Sequence, residues 1–172
     1  SAGAGRGATF VVRLPLAAAT SAPAPRLSRR AAVPIEPGVL AGLRVLAVDD
    51  DPDARELVED VLTHYGAEVA SVVSAEAALD AVIGGAPDRF HLLVSDIGLP
   101  DKDGYTLIQE IRALGGPRAA LPAVALTAYA SAEDQARARA AGYHMHLAKP
   151  LVPHELVGAV LELVKEETGD RG

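Results

Sequence analysis

Four polar side chains or pairs stand directly after short apolar runs, and their types suit phosphoryl and cation chemistry. The run Leu43–Val48 ends in Asp49, Asp50 and Asp51, and Phe90–Ser95 ends in Asp96. The run Ala123–Leu126 ends in Thr127, and Met145–Ala148 ends in Lys149-Pro150. Carboxylates and waters are the ligands of a Mg²⁺ ion, which takes one or two carboxylates and keeps an octahedral oxygen shell. Three crowded carboxylates repel one another, which favours cation binding. Asp96, alone at the end of its run, is the better nucleophile, and carboxylates form aspartyl-phosphate intermediates. Lys149 would pair with that carboxylate or with phosphoryl oxygens, and Thr127 would donate a hydrogen bond to one. Catalysis of this kind is mostly positioning and charge neutralisation. Any one such residue alone reads more readily as a turn or cap, and Asp51 is read as a helix cap. The succession of all of them is what points to a site.

The elements needed to place them together are a parallel sheet and crossover helices. In such sheets ligands bind beyond the carboxyl ends of the strands. The spacing predicts strands over 43–48, 68–73, 90–95, 123–126 and 144–148. Helices are predicted from Pro52 to about Gly66, from a Ser74 cap through Ile83, from Gly104 to Leu114, from a Ser131 cap to Gly142, and from Pro153 to about Glu166. On the last helix Leu156, Val157, Val160, Leu161 and Val164 form the buried stripe. The result is a (βα)₅ α/β domain over residues 43–167, with 168–172 a tail.

Composition bounds the rest. The chain has 172 residues, 49% apolar and only 3% aromatic, so its core is built from Ala, Val, Leu and Ile. Cysteine is absent, which excludes disulfides and thiolate zinc sites. The net charge of −7 is divided between +4 over residues 1–43 and −11 over the remainder. An acidic domain without a basic, aromatic face argues against nucleic-acid binding. No apolar run approaches the roughly 20 residues that span a bilayer.

Gly3–Gly7 leads into a strand-like Ala8–Leu16 that lacks partners of its own, so residues 1–16 read as the end of another domain. A secretory leader is disfavoured, because Arg13 and Pro15 interrupt the apolar stretch. Residues 17–42, with Pro23, Pro25, Pro34 and Pro37, read as an extended linker.

The motifs Val45-Leu46-Ala47-Val48-Asp49-Asp50-Asp51-Pro52, Leu93-Val94-Ser95-Asp96-Ile97-Gly98-Leu99-Pro100-Asp101-Lys102-Asp103-Gly104, Ala125-Leu126-Thr127-Ala128 and Leu147-Ala148-Lys149-Pro150 together resemble the receiver domain of two-component response regulators. The resemblance implies a flavodoxin-like doubly wound fold with strand order 2-1-3-4-5. It implies Asp96 as phosphoacceptor, and Asp50, Asp96 and the Ile97 backbone carbonyl as Mg²⁺ ligands, with Asp49 acting mainly through water. Thr127 would be the switch hydroxyl, Lys149 the phosphoryl-contacting base, and the Lys149-Pro150 bond cis. His146 stands where the family's switch aromatic usually lies, so an aromatic read-out is not expected in its usual form. Gly98 and Tyr129 occupy the two positions that tune phosphoryl lifetime in the family.

Gly5-Arg6-Gly7-Ala8-Thr9-Phe10-Val11-Val12-Arg13-Leu14-Pro15 resembles the last strand of a histidine-kinase ATP-binding domain. That likeness implies the C-terminal part of a hybrid sensor histidine kinase, cytoplasmic, receiving from a kinase core or a histidine phosphotransfer protein. The chain would catalyse its own aspartyl phosphorylation without hydrolysing ATP. Two rivals remain open: an interaction module on the same fold that is no longer phosphorylated, and a small phosphatase, which would need a second Asp where Gly98 stands. His144 and His146 could chelate a metal if a third ligand joined them, whereas His64, His91 and His154 read as surface or core-edge residues. The helix over Ala132–Ala141, with Arg137 and Arg139 on a solvated face, and its neighbours match the family's usual partner surface.

Overall fold

Every central strand is apolar on both sides, the pattern of a parallel sheet covered on both faces. The computed structural model describes residues 36–86, 89–128 and 131–169. It contains β1 (Arg44–Val48), α1 (Pro52–His64), β2 (Glu68–Val72), α2 (Ala75–Gly84), β3 (Leu92–Asp96), α3 (Gly104–Ala113), α4 (Gly116–Ala119), β4 (Ala123–Thr127), α5 (Ala132–Ala141), β5 (Met145–Ala148) and α6 (Pro153–Gly169). The five strands are all parallel, in the order β2-β1-β3-β4-β5. This is the flavodoxin-like doubly wound sheet expected from the sequence.

Alternate residues of each strand feed opposite faces, as the period of two requires. Val45, Ala47, Leu92, Val94, Val124 and Leu126 pack beneath α1 and α6, against Val58, Leu62, Leu156, Val157 and Val160. Leu46, Val48, Leu93, Ala123 and Ala125 pack beneath α2, α3 and α5, against Ala78, Val82, Ile108, Ile111 and Ala138. Small residues on α2 and α5 let these helices lie close to the sheet.

The helix starts are capped by side chains. Asp51, Ser74, Asp103 and Ser131 accept hydrogen bonds from Asp53, Ala77, Thr106 and Asp134 N–H. α5 ends at Gly142, whose φ of 120° is a conformation L side chains avoid.

Besides β1, which starts one residue late at Arg44, two strands begin later than the apolar runs predict. β3 starts at Leu92 rather than Phe90, and β5 at Met145 rather than His144. The cause is the same in both. His91 Nδ1 accepts the Arg44 N–H at 3.1 Å, and His144 Nδ1 accepts the Ala123 N–H at 3.1 Å. Each imidazole takes the place of a ladder carbonyl at the amino end of the sheet. This gives His144 a structural role, and no third ligand joins it and His146 among the described residues.

The four-residue α4 was not anticipated. Gly115 and Gly116, at φ 70° and 62°, reverse the chain, and Pro117 opens the new turn. Arg118 then donates to the Val82 and Gly85 carbonyls at the end of α2, at 3.0 and 2.7 Å. Arg112 gathers the Ala119, Leu121 and Gly142 carbonyls, joining α3 to the start of β4 and the end of α5. α6 runs to Gly169, past its expected end near Glu166.

Residues 1–35, read as another domain's last strand and most of a linker, lie outside the described residues, as does Tyr129. The segment from Glu36 packs onto the domain. Leu40 is only 3% exposed in the α1/α6 core, and its N–H donates to the Tyr65 carbonyl at 2.9 Å.

Candidate functional site

β1 and β3 lie side by side, with Val48 opposite Ser95, so the residues that follow leave the sheet together. Asp49 and Asp50 come from the first, Asp96 from the second. Their carboxylate oxygens lie within 4.8 Å of one another. Among the described residues this is the one His, Cys, Asp or Glu group that could hold a metal ion. Asp49 and Asp96 are buried, and Asp50 faces solvent. A hard oxygen donor set with an open side fits Mg²⁺, which retains several waters. Ile97, whose carbonyl the sequence suggested as a further ligand, follows directly on β3. That carbonyl accepts the Gly104 N–H at 2.9 Å and keeps a second lone pair.

Thr127 ends β4 and is buried beside the rim. Its carbonyl accepts the Lys149 N–H at 2.7 Å, which ties the end of β5 to the end of β4. Lys149 then extends across the rim. Its Nζ lies 2.8 Å from Asp49 Oδ2 and 3.2 Å from Asp96 Oδ1. The Lys149-Pro150 peptide is cis. His146, on β5, pairs in register with Ala125 and is half-buried near α5.

Charge in the site is unevenly settled. Burial pushes the Asp49 carboxyl up, and the neighbouring Asp96 charge adds to this, while the Lys149 hydrogen bond and charge oppose it. For Lys149, burial pulls the ammonium down, but the Asp49 hydrogen bond and the charges of Asp49 and Asp96 prevail and raise it. The two partners respond differently because Asp49 is almost wholly enclosed, at 2% exposure, whereas the Lys149 side chain keeps 25%.

Gly98 places its backbone where an added Cβ would lie 3.3 Å from Asp96 Oδ2. A side chain there would stand over the Asp96 carboxylate.

Two residues that the sequence did not mark act on the site. Arg55, on the first turn of α1, donates from Nη1 to the Asp49 carbonyl at 2.9 Å, bracing the turn that carries both acids. Tyr143, just before β5, donates its hydroxyl to the Gly104 carbonyl at 2.8 Å. The one signal for Tyr143 was an aromatic in a chain that has so few. Asp101, in the loop after β3, makes a link of another kind. It accepts the Ala75 and Glu76 N–H groups at 3.3 and 3.1 Å, fastening the loop to α2.

Known proteins with these features carry the same fold. The response regulator receiver domain family model matches residues 45–161. The chain is 37% identical over 121 residues to the sensor protein GacS of Pseudomonas syringae pv. syringae, covering 69% of this chain and 13% of that protein. It is 43% identical over 122 residues to an uncharacterized 14.6 kDa protein of Leptolyngbya boryana, covering 70% of this chain and 89% of the relative. It is 35% identical to the transcriptional regulatory protein PrrA of Mycobacterium bovis over 71% of this chain and 50% of that protein. The chain thus spans a small part of the sensor protein and half of the regulator. Among solved structures, the chemotaxis response regulator CheY4 of Vibrio cholerae superposes with a TM-score of 0.64 at 29% identity, covering 70% of this chain and 98% of that one. A CheY-like receiver domain protein from Methanospirillum hungatei gives 0.65 at 29% identity, covering 74% and 98%. With strand order, rim residues and a family match over residues 45–161 in agreement, the chain belongs to the response regulator receiver domain family.

Proposed function

We propose that the domain accepts a phosphoryl group on Asp96 in a Mg²⁺-dependent transfer from a phosphohistidine. The observation that carries this reading is the Lys149 ammonium set between Asp49 and Asp96, beside three carboxylates close enough to share one cation. Asp50, Asp96 and the Ile97 carbonyl would hold the ion, with Asp49 acting through water. When bound, Mg²⁺ offsets the negative charge of the carboxylates and of the phosphoryl oxygens. An Asp96 carboxylate oxygen attacks phosphorus, the P–N bond breaks, and its electron pair stays on the imidazole of the donor. Lys149 then balances the charge that gathers on the phosphoryl oxygens, and Thr127 donates its hydroxyl to one of them.

The likeness to GacS, a sensor histidine kinase, together with the kinase-like motif at residues 5–15, supports a place in a hybrid kinase. There the domain serves a relay or feedback step in the cytoplasm. Its partner is the kinase core or a histidine phosphotransfer protein, and Thr127 and His146 carry the response toward β5. Residues 1–16 then end the kinase's ATP-binding domain, and residues 43–167 form the receiver.

Transfer from a ³²P-labelled phosphohistidine protein tests this. Label moving to the wild-type chain with Mg²⁺, and not with EDTA or in Asp96→Asn, is expected. Label that stays on the donor under every condition would leave the domain as an interaction module with an idle site.

A further inference from the structure

Asp49 is tied to four separate parts of the fold. Its N–H donates to the Val72 carbonyl at the end of β2, at 3.3 Å. Its Oδ1 accepts the Asp51 N–H at 3.1 Å, and its Oδ2 accepts from the Lys149 ammonium at 2.8 Å. Its carbonyl oxygen lies just past the end of β1 and accepts from Arg55 Nη1 at 2.9 Å. Arg55 reaches that oxygen because of its place in α1. Its own N–H donates to the Asp51 carbonyl at 3.0 Å, which sets it on the first turn. Helical side chains lean toward the amino end of their helix, so the guanidinium turns back over the acids that precede α1.

The carbonyl that Arg55 holds belongs to the peptide between Asp49 and Asp50. A peptide unit is planar, so holding its oxygen fixes the plane. The plane in turn limits the direction in which the Asp50 side chain can leave the backbone. Asp50 is exposed, unlike the buried Asp49, so packing does less to direct it.

We infer that Arg55 is a positioning residue for the cation site, holding the peptide between Asp49 and Asp50 so that both carboxylates meet that of Asp96. The inference rests on the reading that these three carboxylates share one Mg²⁺ ion. By its charge alone, a guanidinium beside the site would repel the cation and weaken binding. Holding the carboxylates in place acts in the opposite direction, because the ligands are then ordered by folding and not at the moment of binding. Hydrogen-bonding partners that orient metal ligands commonly set affinity in this way. A guanidinium suits the task, being always charged and presenting its donors in a rigid planar fork. The sign of the effect therefore separates positioning from charge.

The test is calorimetric titration with Mg²⁺ of the wild-type chain, Arg55→Met and Arg55→Lys, with metal-free urea midpoints measured alongside. Arg55→Met should weaken Mg²⁺ binding about tenfold. Arg55→Lys keeps a charge and a donor, and should recover most of that loss. Tighter Mg²⁺ binding by Arg55→Met would reduce Arg55 to a nearby charge and overturn the inference. A lower urea midpoint with unchanged Mg²⁺ affinity would make its role merely structural and overturn the inference equally. A wild-type chain that binds no Mg²⁺ would instead overturn the reading of the site, and the inference with it.

Discussion

Lys149 and Asp49 stand 100 residues apart in the chain and 2.8 Å apart in space. No local interaction brings them together. They meet because β1 and β5 end at the same rim of the sheet, and β3 and β4, which separate them, contribute Asp96 and Thr127.

Lys149→Ala separates positioning from cation binding. It removes the ammonium nearest Asp96 and leaves the carboxylate cluster intact. Phosphorylation of Asp96 by a small donor should slow by about a hundredfold, the scale of losing one oriented charge-stabilising group. Mg²⁺ affinity should be unchanged or higher, because the ammonium competes with the cation for the same oxygens. Rate and affinity measured on one preparation check both halves.

Asp49→Asn should stabilise the metal-free domain at neutral pH. The folded-state pKa of Asp49 is raised, chiefly by burial. The folded state therefore holds its proton more tightly than the unfolded chain. Stability falls as pH rises from the ordinary 3.8 through the folded value. A neutral isostere at this position removes that penalty. A gain of about 1 kcal/mol, or roughly 4 °C in Tm, is expected without Mg²⁺, shrinking when Mg²⁺ is added to both proteins. Thermal unfolding with and without the ion measures it.

His146 makes an opposite contribution. Burial lowers its pKa, the Arg139 charge lowers it further, and Asp134 opposes both. The folded state thus prefers the neutral ring. Its contribution is fully present above the ordinary 6.5 and is lost as pH falls below it toward the folded value. His146→Phe should flatten that part of the stability–pH curve. Urea midpoints taken across the interval would show a reduced slope, while an unchanged slope would contradict this contribution.

Leu40→Ala tests the edge of the domain. Leu40 lies in a stretch whose prolines read as linker, yet its side chain is in the α1/α6 core. Truncation should lower stability by about 2–3 kcal/mol, as for other enclosed leucines. A change near zero in the urea midpoint would mean that the segment before β1 docks without supporting the fold.

The sheet was legible because Val, Leu and Ala runs of strand length alternate with helical spacing, and parallel strands buried on both faces have no other pattern. The rim was legible for the related reason that Asp49, Asp96, Thr127 and Lys149 all interrupt such runs at their carboxyl ends. What was hidden depends on contacts remote in sequence. His91 and His144 shorten strands by taking an N–H from a neighbouring strand, which no local pattern reveals. Gly115 and Gly116 read as a stop, and the turn they open is α4. Leu40 was masked by Pro34 and Pro37. Tyr143 drew no reading, because its hydroxyl partner, Gly104, lies in another element.

The most direct test of the central claim is intact mass after incubation with Mg²⁺ and acetyl phosphate, comparing the wild-type chain with Asp96→Ala. The account predicts a gain of about 80 Da, one phosphoryl group on a carboxylate, in the wild type alone and abolished by EDTA. The same gain in Asp96→Ala would contradict the assignment of the acceptor. No gain in the wild type, with Mg²⁺ binding established, would contradict phosphorylation by a small donor.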